Sequence, residues 1–277
     1  MTAPGSRTAA ARAWIRRVRA GQWLHFLPLP AAGVAWSRGW SHALPSLLRG
    51  AVAAAAVLAF GYLLNAVADR DMDLDPEKNP LTREAPAPHR GALAALALAA
   101  LAAAAVSPWA LLAASVSLVS GWGYSAGPRL KARPFVGTAL NVSSFGPLLF
   151  VAAEGAREAA GVLPLALAFA GLLVQNQLLH ESADLEEDRL GGLRTTFSVL
   201  GARGSAAVAL GCALAALCGL VAATRGAPGA ALFGLVLACS LLAPVALLRR
   251  WPPSLARRAH RGAAAVAGAA VFLAARA

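Results

Sequence analysis

Asn65, Asp69 and Asp73 recur every four residues, and Asp184 and Asp188 repeat the same step 115 residues later, with Asn176, His180 and Glu181 upstream. On a helix that step puts the side chains on one stripe, and Pro76 and the Gly191–Gly192 pair are placed to end the two helices. Eleven of the thirteen acidic residues fall in the windows Asp69 to Glu84 and Glu181 to Asp188. Carboxylates four apart repel one another, so each stripe is locally unfavourable without a counter-ion. Magnesium suits it. The ion takes oxygen ligands and is typically held by one or two carboxylates together with the phosphates of a substrate. Two pairs on neighbouring helix ends, Asp69 with Asp73 and Asp184 with Asp188, could grip one diphosphate from both sides. Solvated loop charge is the plainer alternative, and the repeated spacing at two matching helix ends argues against it.

A third element is the run Tyr124-Ser125-Ala-Gly-Pro128-Arg129-Leu-Lys131-Ala-Arg133-Pro134. Fixed cations there could hold phosphate oxygens and stabilise charge building on a departing diphosphate. A basic loop is also what membrane orientation alone would produce. His180 reads either as an acceptor-positioning group or as a hydrogen-bonded structural histidine. Gln175, Asn176 and Gln177 form a polar run at the end of an apolar stretch, which favours a bundle-facing site over lipid.

The elements that must carry these residues are membrane helices. The chain of 277 residues is 58% hydrophobic, with a mean hydropathy of +0.60, well above the apolar content of soluble domains. Charge clusters and Pro/Gly punctuation divide it into nine apolar stretches, near Gln22–Trp36, Leu47–Ala68, Gly91–Val106, Trp109–Tyr124, Val136–Ala153, Gly161–Leu179, Ser205–Ala223, Ala227–Leu248 and Ala263–Ala275. A spanning helix needs about 20 residues, and the first stretch, interrupted by His25, Pro28 and Pro30, is the weakest. The expectation is an all-α membrane protein with nine transmembrane helices.

The net charge of +12 is distributed for membrane orientation rather than for nucleic acid. Twenty of the twenty-five Lys and Arg residues lie in alternate connections; the opposite set holds only Arg38, Arg49, Arg157, Arg225 and Arg276. The positive-inside rule then puts the N-terminus and both acidic windows in the cytoplasm, as a polar cap on the inner membrane face, with Glu154 and Glu158 outside. Trp36, Trp40 and Trp109 fall near outer edges and Trp14, Trp23, Trp122 and Trp251 near inner ones, the positions of interfacial anchors. Residues 1–20 read as a cytoplasmic segment, with Thr8–Ala20 an amphipathic helix on the inner leaflet and no signal-peptide pattern, ahead of a membrane domain over 21–277. Cys212, Cys218 and Cys239 all fall within apolar stretches, which reads as packing rather than a disulfide or zinc framework. The shared 115-residue offset suggests a four-helix unit used twice, plus a ninth helix.

At these residues the sequence resembles the UbiA superfamily of intramembrane prenyltransferases. That family carries Asn-Asp-x-x-Asp-x-x-x-Asp after its second helix, which Asn65, Asp69 and Asp73 match, and Asp-x-x-x-Asp after its sixth, which Asp184 and Asp188 match. Arg189, Gly192, Arg194, Thr195 and Leu200-Gly201 continue the second motif, and Tyr124 to Lys131 resembles the family's loop between the fourth and fifth helices. Ala66 replaces the acid that usually follows the motif asparagine, Lys78-Asn79-Pro80 with Arg83 replaces the usual Arg-Pro, and the Tyr-to-Lys spacing is one residue short.

The resemblance implies a nine-helix UbiA-like bundle around a cavity open to the membrane. It implies magnesium held by Asp69, Asp73, Asp184 and Asp188 with Asn65 assisting, and a diphosphate contacted by Tyr124, Arg129 and Lys131. The implied reaction ionises an allylic prenyl diphosphate and transfers the prenyl group to an apolar acceptor, aromatic or lipid, with Asn176, His180 and Glu181 near the acceptor or behind the ligands. A UbiA-type terpene cyclase needs the same ionisation site. A divalent-cation transporter is the reading from a different class, but transporters place coupling residues near the midplane, whereas both clusters sit at one face. The prenyl length, the acceptor and the oligomeric state are not written in these residues.

Overall fold

The computed structural model describes residues 4–39, 44–71, 73, 76, 79–83, 89–224 and 230–274. Trp40, Lys78, Glu84, Arg225, Ala227, Ala275 and Arg276, named above, lie outside them. Everything regular in the described residues is helical. The helices are α1 (Pro4–Arg17), α2 (Ala20–Trp23), α3 (Leu29–Arg38), α4 (Leu44–Ala68), α5 (Arg90–Ala104), α6 (Pro108–Ser125), α7 (Val136–Phe145), α8 (Ala156–Ala183), α9 (Leu185–Leu190), α10 (Thr196–Thr224), α11 (Ala230–Leu248) and α12 (Pro253–Ala274). Each of the nine apolar stretches falls on a helical segment. Three helices, Leu44–Ala68, Ala156–Ala183 and Thr196–Gly219, are long and apolar enough to cross a membrane; Arg90–Ala104 and Leu235–Leu248 are shorter apolar helices.

The short members have identifiable causes. The first stretch is broken into α2, a 3₁₀ turn at Leu24–Phe26 and α3, because Pro28 and Pro30 each remove a backbone donor. In the fifth stretch Gly146 and Pro147 end α7 after 10 residues and convert the chain into a 3₁₀ turn over Gly146–Leu149. α6 starts cleanly: Ser107 accepts from the Trp109 and Ala110 amides at 3.1 and 3.3 Å, with Pro108 at the first helical position. Gly201, with φ of 63°, bends α10 near its start.

Small side chains let the helices approach closely. The buried core is dominated by alanine, including Ala53, Ala54, Ala66, Ala100, Ala104, Ala110 and Ala114. A Cβ on Gly33 would sit 2.0 Å from the Leu149 carbonyl oxygen, so α3 lies directly on the 146–149 turn. At the 115-residue offset of the aspartates, α4 corresponds to α8, α5 to α10, α6 to α11 and α7 to α12. The packing repeats as well: α4 lies on α5 as α8 lies on α10, and α6 on α7 as α11 on α12. Trp14, Trp109, Trp122 and Trp251 are exposed, as anchors would be, whereas Trp23 is buried and donates its indole N–H to the Val18 carbonyl at 2.6 Å. Trp23 therefore fastens the α1–α2 junction instead of lying at a surface.

Candidate active site

Asp69 follows the last turn of α4, and its amide still donates to the Asn65 carbonyl at 2.9 Å. The chain keeps the helical step for one more turn, Asp73 N to Asp69 O at 2.8 Å, which puts both carboxylates at one end of α4. Asp69 is buried, and its charge is met by the 126–135 loop. Lys131 Nζ lies 2.6 Å from both carboxylate oxygens and Arg129 Nη2 3.0 Å from Oδ1. Arg129 reaches there from a left-handed backbone (φ 49°), a conformation costly for a residue with a Cβ and typical of functional sites. Ser125, at the end of α6, donates to Asn65 Oδ1 at 3.0 Å. Asn79, fully buried, donates to the Ala66 carbonyl at 2.9 Å and to Asp73 Oδ2 at 3.3 Å, so it ties the segment after Asp73 back against α4.

The second pair is built at the end of α8. Asp184 closes that helix and Asp188 lies one turn on in α9, its amide donating to the Asp184 carbonyl at 2.8 Å. His180 Nδ1 is 2.7 Å from Asp184 Oδ2. Asp188 has its carboxyl pushed up to about 6, first by burial and then by the charges of Asp184 and Glu181, with His180 opposing. Glu181 is turned the other way: its oxygens accept from the Phe197 amide at 2.7 Å, from Gln177 at 3.0 Å and from Thr138 at 3.5 Å. It fastens the start of α10 to α8. Asn176 Oδ1 is buried without a hydrogen-bond partner.

The two acidic ends share one end of the bundle because the loop between α6 and α7 stitches them together. Its first part carries Arg129 and Lys131 to Asp69. Its second part binds the α8–α10 side, through the Phe135 amide to Thr196 Oγ1 at 2.9 Å and Thr138 Oγ1 to Thr196 Oγ1 at 2.7 Å. Tyr124 stands between them, near Gln177 and within electrostatic reach of Glu181, Asp69 and Asp188. Thr138 and Thr196 were not singled out by sequence reasoning; Gln177 was read only as part of the polar run Gln175 to Gln177, and Asn79 only as part of the segment that departs from the family pattern. The threonines act through neighbours remote in sequence, which spacing does not reveal.

Among the described residues no three of His, Cys, Asp and Glu converge as a metal cage. The donors are oxygen-only pairs, which fits magnesium held by a few carboxylates with substrate oxygens completing its shell. The crowding that raises Asp188 is what a divalent cation would relieve. Asp69 with Asp73 would hold one such ion and Asp184 with Asp188 another.

An all-helical bundle with apolar helices, two carboxylate pairs and a basic loop at one end defines a membrane-type protein class. The profile of the UbiA prenyltransferase family matches residues 26–273. The chain belongs to that family. Its fold is that of a UbiA homologue from Archaeoglobus fulgidus solved with GPP and Mg2+ (TM-score 0.73, 22% identity, covering 95% of this chain and 99% of that one). A digeranylgeranylglyceryl phosphate synthase structure is similar at TM-score 0.78 and 16% identity, covering 96% and 98%. An apo UbiA homologue from Aeropyrum pernix K1 gives TM-score 0.70 and 22% identity, covering 90% and 97%. No curated protein matches the chain in a sequence comparison.

Proposed function

We propose that this protein is a magnesium-dependent intramembrane prenyltransferase. It transfers the prenyl group of an allylic prenyl diphosphate to an apolar acceptor, aromatic or lipid, and releases diphosphate. The observation that carries the reading is the pairing of Asp69–Asp73 with Asp184–Asp188 at one end of the bundle, joined by the loop that bears Arg129 and Lys131. The solved relative with GPP and Mg2+ supports the choice of substrate class. We place the protein in the inner membrane with nine spanning segments and this end facing the cytoplasm, on the twenty-to-five bias of its basic residues.

The chemistry follows from charge. A prenyl diphosphate ionises when negative charge growing on the bridging oxygen is stabilised more than the intact ester is. Magnesium, when bound, supplies Lewis-acid neutralisation of the phosphate oxygens. The four aspartates hold the ion-bearing diphosphate, Asn65 supports Asp69, and Tyr124 stands at the bridging position between the two ends. Lys131 and Arg129 now rest on Asp69; in the loaded enzyme they turn to the leaving diphosphate, where low dielectric strengthens each contact. The allylic cation then lies against the aromatic group formed by Phe26, Phe145, Phe169 and Tyr62, with Phe26 and Phe145 centroids 4.8 Å apart, until the acceptor captures it.

The test uses purified protein and allylic prenyl diphosphates of several lengths. Diphosphate release that EDTA abolishes and magnesium restores, with a saturated analogue that binds without reacting and a prenylated acceptor recovered, is expected. Acceptor-independent release of a cyclic hydrocarbon would replace transfer with cyclisation. Divalent-ion uptake into proteoliposomes with no prenyl turnover would overturn the enzyme reading.

A further inference from the structure

Three arginines unused by that mechanism lie within electrostatic reach of one tyrosine. Arg19 occupies the α1–α2 junction in a left-handed backbone (φ 53°), and its guanidinium carbon stands 6.0 Å from the centroid of the Tyr62 ring. Tyr62 on α4 also feels the charges of Arg257 and Arg261, one turn apart on α12, and His25 feels Arg261. The α1–α2 junction, the 24–26 turn, α4 and α12 therefore converge here. None of the three arginines makes an ion pair among the described residues, and the Nε atoms of Arg19 and Arg257 are buried without a hydrogen-bond partner.

That arrangement is expensive as it stands. Arginine does not discharge by losing its proton, so three like charges around one ring repel and their buried donors stay unsatisfied. The nearest acids do not cancel them. Arg19 lies within electrostatic reach of Asp73 and Asp69, and Arg257 within reach of Asp184, but the Asp69 carboxylate is already held by Lys131 and Arg129 and Asp184 by His180. The cluster thus borders both acidic ends, and its cations are distinct from Arg129 and Lys131, the pair assigned to the leaving diphosphate. A carboxylate would bring one negative charge, whereas a phosphate monoester brings close to two and offers three acceptor oxygens that match guanidinium forks.

Resting on the prenyltransferase reading above, we propose that Arg19, Arg257 and Arg261 form a second anion site that takes the phosphate head group of the acceptor. The acceptor is then a phosphate monoester whose nucleophile lies near Tyr62, beside the aromatic group that receives the prenyl chain. The apolar group holds the donor chain, and the arginines hold the acceptor's phosphate.

The test is binding to the full chain in neutral phosphatidylcholine nanodiscs, with dodecyl phosphate, glycerol phosphate and dodecanol as probes, each with and without magnesium and geranyl S-thiolodiphosphate. The wild type is expected to bind at least one phosphate probe about tenfold or more tighter than dodecanol, the scale of one charge-assisted hydrogen bond. Preference for dodecyl phosphate alone assigns a lipid acceptor; equal binding of glycerol phosphate assigns a soluble one. The Arg257→Gln/Arg261→Gln double variant should lose the preference, the Arg257→Lys/Arg261→Lys variant should retain part of it, and Arg258→Gln, exposed on the neighbouring face, should keep it. No preference in the wild type, or an undiminished one in the double Gln variant, overturns the proposal. So does a more than tenfold parallel loss of thiolodiphosphate binding, which would place the arginines in the donor site. If the thiolodiphosphate fails to bind and no prenyl compound turns over, yet the arginine-dependent phosphate preference persists, the prenyltransferase reading falls and the anion site stands.

Discussion

Asp69 and Asp188 belong to the two carboxylate pairs but differ in what satisfies them. Asp69 is buried between Lys131 and Arg129, whereas Asp188 has acids for neighbours and its carboxyl is held up at about 6. The sign of the consequence is fixed by linkage. The folded protein binds the Asp188 proton more tightly than the unfolded chain, so stability falls as pH rises from the ordinary Asp range to about 6, and the penalty is fully present above that. Magnesium at the proposed site would relieve the same penalty. A thermal shift on adding magnesium is therefore expected at pH 7.5 and should shrink toward pH 5, while Asp188→Asn should raise the metal-free melting temperature at pH 7.5 and lose the magnesium response. A magnesium shift independent of pH would contradict this account. On the proposed mechanism the four aspartates act on one diphosphate, so each single Asp→Ala change should lower kcat/KM by about a hundredfold, roughly 3 kcal/mol, and a double change by little more than a single one. Glu154→Ala is the control. Glu154 pairs with Arg49 (2.6 Å) and Ser46 at the opposite end of α4 and should leave kcat/KM unchanged.

At the scale of elements, the site depends on one loop held at both ends. Gly137 opens α7 where a Cβ would come 2.7 Å from the Lys131 carbonyl, backbone that has no room to yield. Gly137→Ala should displace Lys131 and lower kcat/KM while touching no substrate, an effect a rescue by added magnesium would not reverse. Glu181 is the counterpart on the other side. Replacing it with Ala leaves the Phe197 amide and the Gln177 side-chain amide without that acceptor, at a cost of about 2 kcal/mol, read as a lower melting temperature with or without magnesium. The contrast shows what the chain's linear order could reveal. The carboxylate stripes were legible because four-residue spacing is local and the helix supplies the geometry, and Pro76 and the Gly191–Gly192 pair marked where the stripes end. Glu181 was legible as an acid on the same face, but its engagement with Phe197 and Thr138 was not, because that depends on how α7 and α10 dock. Arg19 was hidden for a similar reason. Within a run of arginines it read as an inner-leaflet anchor, and only the left-handed turn before α2 carries it to Tyr62.

For the molecule as a whole, composition announced a membrane protein and the nine apolar stretches each fall on a helical segment, yet periodicity could not say which would be full-length helices. Pro28, Pro30, Gly146 and Pro147 shorten two of them to 10 residues each, and neighbouring turns complete the path. Orientation rests on a different kind of argument, since charge bias acts during insertion and leaves no trace in packing. α8 offers a direct test. It runs 28 residues, is apolar enough to cross, begins near Glu154 and ends at the second acidic pair. In a chain freed of Cys212, Cys218 and Cys239, single cysteines replacing the exposed Ala156 and Gly191 should react with an impermeant maleimide from opposite sides of the membrane. Gly191→Cys should be labelled only in inside-out vesicles, the face to which twenty of twenty-five basic residues assign it. Labelling of both from one side would remove α8 as a spanning helix, and labelling of Gly191→Cys from outside would invert the protein and require its diphosphate substrate to be delivered from the other face.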